Sequence, residues 1–122
     1  MNGLSRRNET ATQRDASWLP LGNTPMHPEY PCAHCITTTA VATVIEAMLG
    51  SADIPEVTMT SPTAPGITRR WTNVWAYADE VAMARIYAGF HYRSSNRVGQ
   101  DMGRGIGRLV VQSLLQRTAV AR

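Results

Sequence analysis

A chain of 122 residues, 43% of them hydrophobic, has room for one modest domain with a small core. Its 12 basic and 9 acidic residues leave a formal charge of +3, spread too evenly for a nucleic-acid footprint, and every basic residue is arginine, which excludes any mechanism needing a lysine from this chain. No apolar run approaches the roughly 20 residues that span a bilayer, and Met1 to Asp15 carries no signal-peptide core, so the chain reads as soluble.

Residues 1–23 are rich in Asn, Thr, Arg and Asp without an apolar period and are expected to be a flexible segment, with Trp18 and Leu19 anchoring its end. Prolines 20, 25, 28 and 31 then hold an extended segment that delivers the chain stiffly to Cys32. From Ala33 to Leu49 the residues Ile36, Ala40, Val41, Val44, Ala47 and Met48 recur at helical spacing, and Gly50 supplies the stop. Ser51 to Thr68, with Pro55, Pro62, Pro65 and Gly66, predicts a long connecting loop without a strand, a candidate rim or lid.

A second helix is expected from about Arg70 to Tyr87, with Trp71, Val74, Trp75, Ala78, Val81, Ala82 and Ile86 on one side and Asp79 and Glu80 on the other. Arg85 falls in its last turn and Gly89 ends it. Val98, Met102, Ile106, Leu109, Val110 and Leu114 mark a final helix reaching about Arg117, with Ser94 or Ser95 as N-cap. Gly99, Gly103 and Gly107 thin one face of it and allow close approach by another helix. The expected fold class is all-α, about three main helices forming part of a bundle.

Two stretches carry the chemistry, His27-Pro28-Glu29-Tyr30-Pro31-Cys32-Ala33-His34-Cys35 and Arg85-Ile86-Tyr87-Ala88-Gly89-Phe90-His91-Tyr92. Each sets a histidine beside a tight backbone at a helix end, where amide dipoles and ring nitrogens can converge on an oxyanion.

Pro31-Cys32-Ala33-His34 resembles the Pro-Ser-Gly-His element, and Arg85 with His91 six residues on resembles the Ser-Arg-x5-His element, of the superfamily joining type 2 phosphatidic acid phosphatases, bacterial acid phosphatases and vanadium-dependent haloperoxidases. Thr24 to Tyr30 and Gly103-Arg104-Gly105-Ile106-Gly107 are similar to the soluble bacterial haloperoxidase-like branch. The resemblance covers about residues 18 to 117 and makes residues 24–122 the C-terminal half of such a helical domain.

It implies that His91 attacks phosphorus or bonds to vanadate, that Arg85 holds equatorial oxygens, and that His34 is the general acid and base. Cys32, Ala33 and Gly89 would complete the vanadate or phosphate cradle with backbone and side-chain donors. The implied ligands are a phosphate-like oxyanion, with vanadate as cofactor plus peroxide and halide in a haloperoxidase, or a phosphoester in a phosphatase. A third reading is a non-catalytic helical remnant or interaction module.

Three departures stand against the pattern. Cys32 replaces the usual serine and Ala33 the usual glycine, exchanging a hydroxyl donor for a weak thiol donor. Ser95, with Asn96 beside it, replaces the aspartate that orients the second histidine, which leaves His91 a weaker nucleophile unless a carboxylate arrives from elsewhere. The Lys-x6-Arg-Pro motif is absent and would fall just before Met1. The chain therefore reads as a fragment, a degenerate relative or a segment needing a complement, with exposed helix faces that favour self-association.

Other constellations are weaker. Cys32-Ala33-His34-Cys35 is similar to a thioredoxin-type redox loop, but that fold needs a strand before the motif, and none is visible. Zinc would need a distant second ligand pair, so a buried structural thiol pair is expected, and nothing in the chain marks it for an oxidising compartment where a disulfide would form. His27 is read as a loop residue and Trp71 and Trp75 as core anchors. Arg69 and Arg70 are read as a solvated helix start, Arg93 as the better candidate for anion contact, and Tyr87 and Tyr92 as packed rings with free polar tips.

Overall fold

The computed structural model describes residues 15–115. Five elements follow in chain order: helix α1 (Ala33–Leu49), strands β1 (Asp53–Ser61) and β2 (Ala64–Asn73), and helices α2 (Val74–Tyr87) and α3 (Arg93–Leu114). The expectation of residues 1–14 as a flexible segment falls outside the described residues, as does Arg117, the expected end of the last helix; α3 itself stops at Leu114.

α1 has the expected bounds. Cys32 caps its start, its Sγ accepting the Cys35 amide at 3.2 Å, and Gly50 closes its end in the left-handed region at φ 68°, its N–H returning to the Glu46 carbonyl. α3 lies along α1 because Gly99, Gly103 and Gly107 offer no side chain there. A Cβ at these positions would come within 2.6 Å of the Cys32 carbonyl, 2.5 Å of the Ile36 carbonyl and 2.8 Å of the Ala40 carbonyl. The glycine stripe thus sets the distance between the two helices.

The all-α expectation is corrected by residues 53–73, which form an antiparallel two-stranded sheet and make the fold mixed: three helices plus a hairpin. Val57 pairs with Trp71, Thr58 with Arg70, Met59 with Arg69 and Thr60 with Thr68, the β-branched and aromatic content that suits a pleated surface. The prolines that argued for a loop fit the hairpin instead. Pro55 falls within the register irregularity between Asp53 and Val57, Pro62 falls in the turn, and in a two-stranded sheet each strand has a free edge where a missing N–H is harmless.

The hairpin also takes the first residues expected of the second helix. Arg70 and Trp71 belong to β2, and α2 begins only after Asn73, whose side chain caps it by accepting the Trp75 and Ala76 amides at 3.0 and 3.2 Å. Glu80 draws the hairpin onto α2, accepting from Trp71 Nε1 at 2.9 Å and pairing with Arg69 Nε at 2.6 Å.

The core is thin. Ala42, Val74 and Ala78 form one cluster, flanked by Ile45, Ala52, Ile54 and Trp75, while Cys32, Cys35 and Ala82 form a second beside the end of α2. Trp71 is buried and Trp75 half-buried, the latter donating Nε1 to Glu46 at 3.0 Å, so both act as anchors as expected. No helix among the described residues is long and apolar enough to cross a membrane.

Candidate functional site

The two motif stretches meet where the N-terminus of α1, the C-terminus of α2 and the start of α3 converge. Residues 24–31 cross this junction, pass through a cis Tyr30–Pro31 peptide and deliver Cys32, whose amide donates to the Ser95 carbonyl at 3.3 Å. The first intrahelical bond of α1 runs from Ile36 N–H to the Cys32 carbonyl, so the amides of Ala33 and His34 precede it and sit at the positive end of the helix.

His91 is buried. Its Nδ1 donates to the Glu29 carbonyl at 2.5 Å, and the Glu29 carboxylate stands 3.5 Å from the same nitrogen. A carbonyl can only accept, so Nδ1 carries a proton, and Nε2 is the nitrogen at which a neutral imidazole would present its lone pair. Nε2 is buried and has no hydrogen-bond partner among the described residues. The orienting acceptor that the sequence lacks four residues after His91 is thus the main-chain carbonyl of Glu29, from the segment ahead of α1, with the Glu29 carboxylate nearby.

Glu29 was missed as a functional residue by sequence reasoning, and it does more than face His91. Its carboxylate accepts the Tyr92 amide at 2.9 Å, which starts α3, and its carbonyl accepts from Ser95 Oγ at 2.7 Å. The expected Ser94 or Ser95 cap is thereby corrected: the N-cap is Tyr92, and the capping oxygen arrives from another segment. Its only advance signal was position, a carboxylate five residues before His34.

Arg85 lies in the last turn of α2 with its guanidinium carbon 4.6 Å from the Phe90 ring centre. Its Nε and one Nη are buried without a hydrogen-bond partner among the described residues, and burial holds its pKa below the ordinary arginine value. A half-buried cation with two buried idle donors, at the same helix junction as a buried ring nitrogen without a partner, is the arrangement an oxyanion would satisfy.

His34 is exposed on the first turn of α1, and its pKa is depressed by desolvation, then by the charges of Arg85, His27 and His91. His27 is a loop residue, as expected, and its loop brings it to the other two histidines: its ring stacks on His91, with centres 5.9 Å apart and planes 15° apart, and lies 6.1 Å from His34. All three histidines of the chain thus gather at one place.

Gly89 has φ 76°, and a Cβ there would meet Trp18 at 2.5 Å. Its amide donates to the Ile86 carbonyl at 2.9 Å, so its part is to shape the turn on which Trp18 rests. Cys32 departs from expectation, because its Sγ is bonded to that of Cys35 and has no proton to donate. Arg69 pairs with Glu80 of α2 and Arg70 with Glu56 of the hairpin, and Arg93 lines a groove of about 360 Å³ with Asp79, Met83 and Arg97. Tyr87 and Tyr92, expected to pack, are exposed.

The three helices with their hairpin define the class of protein, and the comparisons with known proteins give its family. The family model described as the VCPO second helical-bundle domain matches residues 3–119, and the chain belongs to this vanadium haloperoxidase-like family. It is similar to a solved structure described as the first bacterial vanadium-dependent iodoperoxidase, with 33% identity and a TM-score of 0.69 over 80% of this chain and 24% of that one. It shares the fold of a bacterial vanadium-dependent chloroperoxidase at 17% identity, in holo form (TM-score 0.66, 79% of this chain, 23% of that one) and apo form (0.62, 73% and 22%). The chain therefore spans about a quarter of the length of these relatives. No curated protein is similar enough to count as a match.

Proposed function

We propose that this chain forms one side of the vanadate-binding site of a haloperoxidase. The observation that supports this best is the set of idle buried polar atoms, His91 Nε2 with Arg85 Nε and Nη2, beside the amide end of α1. His91 Nε2 would bond to the oxyanion centre, with Nδ1 held by the Glu29 carbonyl so that the ring presents that nitrogen. Arg85 would hold the anion's oxygens through its fork, and the Ala33 and His34 amides would add donors. His34, kept neutral to lower pH by desolvation and then by its cationic neighbours, would take and return a proton at the rim.

Vanadate, where bound, would supply a Lewis-acidic centre at which peroxide becomes able to oxidise halide. The iodoperoxidase and chloroperoxidase relatives favour this reading over phosphoester hydrolysis, which would use the same free His91 nitrogen as nucleophile. One guanidinium is modest compensation for a multiply charged anion, so turnover is proposed for the longer architecture of which this chain matches a quarter.

The test is binding of orthovanadate to the full chain, followed by vanadium-51 NMR, with added peroxide and iodide or bromide as the activity arm. Saturable binding that His91→Ala abolishes supports the proposal. Equal binding by a His34→Ala, His91→Ala double variant sinks it.

A further inference from the structure

Nothing in the oxyanion chemistry uses the sulfur atoms of Cys32 and Cys35, yet they occupy a controlling position. Their bond brackets Ala33 and His34, the residues offering free amides and the outer imidazole. Both cysteines are fully buried, and the cluster around them contains only one further small residue, Ala82. The two cysteines are among the largest fully buried side chains of the described residues, so their sulfur atoms are much of what fills this cluster.

The surrounding backbone transmits its state. Cys32 is tied to α3 through the Ser95 carbonyl, and Ser95 in turn donates to the Glu29 carbonyl that holds His91. On the other side Gly99 lies so close that a Cβ would be 3.0 Å from Cys35 Cβ and 2.6 Å from the Cys32 carbonyl. Separated thiols need more room than a bonded pair, and here the room must come from α1 moving against α3.

We propose that Cys32 and Cys35 are a redox site buried beneath the rim of the oxyanion cleft: as a disulfide they fix the helix turn bearing His34, and as a dithiol they release it and weaken anion binding. The oxidant is hydrogen peroxide, the co-substrate of the proposed activity. A thiolate at Cys32, favoured by the helix N-terminus, attacks one peroxide oxygen; the O–O bond breaks, giving a sulfenic acid and hydroxide, which takes a proton to become water. The Cys35 thiol then attacks the sulfenic sulfur, the S–S bond forms and a second water leaves. A small dithiol reverses the change, its two electrons reducing the S–S bond while it becomes the disulfide.

The inference rests on the oxyanion reading, and the experiment separates the two. Inorganic phosphate is the anion probe, because thiols reduce vanadate. Calorimetry on the full chain compares the air-oxidised protein, the protein reduced and desalted without oxygen, and a Cys32→Ser, Cys35→Ser variant checked for helix content by circular dichroism. Alkylation in denaturant counts the thiols.

The expected result is no free thiol in the oxidised protein, phosphate affinity about tenfold weaker after reduction, recovery with one equivalent of peroxide, and a variant indifferent to both reagents. Free thiols in the aerobic protein, or equal phosphate affinity in the two states, overturns the proposal. If the oxidised protein binds no phosphate, the oxyanion reading fails by itself. The His34 ring resonances then decide the redox site, which stands if they shift on reduction and falls if they do not.

Discussion

The hairpin and the histidine junction treat polar groups in opposite ways. On the exposed hairpin the charges are partnered: Arg69 with Glu80, Arg70 with Glu56, and Asn73 with Asp53. At the buried junction, Arg85 and His91 keep donors and a lone pair idle. Exposed pairs are worth little, whereas idle buried groups cost roughly 1–3 kcal/mol each, so a thin core gives up stability at the junction, which the proposed anion binding would offset. The hairpin satisfies its own polar groups, whereas the junction leaves some of its buried ones unsatisfied.

Arg85→Met tests that contrast with the largest expected effect. The substitution keeps an unbranched stem against Phe90 while removing the idle donors, so the apo protein should unfold at the same or a higher temperature. Oxyanion affinity should fall on the order of a hundredfold, from the loss of a charged two-point contact. A destabilised variant with unchanged affinity would mean that Arg85 is structural.

Next in size is Glu29→Gln. It removes the charge that faces His91 Nδ1 and weakens the acceptor that caps α3, while the backbone carbonyl stays in place. A loss of about 1 kcal/mol is expected in urea unfolding, together with a several-fold loss of anion affinity. Loss of stability without loss of affinity would confine Glu29 to capping.

How far these features were legible follows from what each depends on. α1 could be read because its period and its Gly50 stop are local, and His34, Arg85 and His91 because they fall at motif spacing. The hairpin could not, because nearly every residue of β1 and β2 is exposed on both faces and the apolar alternation that marks a strand is absent. The His91 partner is a main-chain carbonyl 62 residues away, a group every residue has and no sequence pattern marks. His27 gained its place from the path of residues 24–31, and the Cys32-Cys35 spacing is equally compatible with thiols and a disulfide.

Acid titration gives a smaller effect. The folded pKa of His34 lies below the model-imidazole value of 6.5, so between the two values the unfolded chain binds more protons than the folded one. Stability should therefore be full above the ordinary imidazole range and fall as pH drops through that window, with no further loss from this group below the folded pKa. His34→Gln should flatten this part of a urea-midpoint profile. An unchanged slope would mean that neither desolvation nor the nearby charges of Arg85, His27 and His91 perturb His34 in solution.

Self-association extends the same comparison to the helix surfaces. Met102, Ile106, Leu109 and Leu114 are exposed along α3, and Val41, Met48 and Leu49 along α1. We propose that these faces self-associate when nothing else covers them. Light scattering should show mass rising with concentration, and Ile106→Glu with Leu109→Glu should reduce the rise.

Trp71→Phe carries the smallest expected effect and isolates the hairpin. The ring volume is largely kept, but the Nε1–H that donates to Glu80 is lost, which should cost about 1 kcal/mol. Because Glu80 keeps Arg69 as a partner, the hairpin should stay docked on α2, and the oxyanion end should bind phosphate as before. If phosphate affinity falls with Trp71→Phe, the hairpin and the junction are mechanically coupled through α2, whose first turn meets β2 and whose last turn carries Arg85. Unchanged affinity would leave the hairpin as a brace for α2 and confine anion recognition to the convergence of the three helix ends.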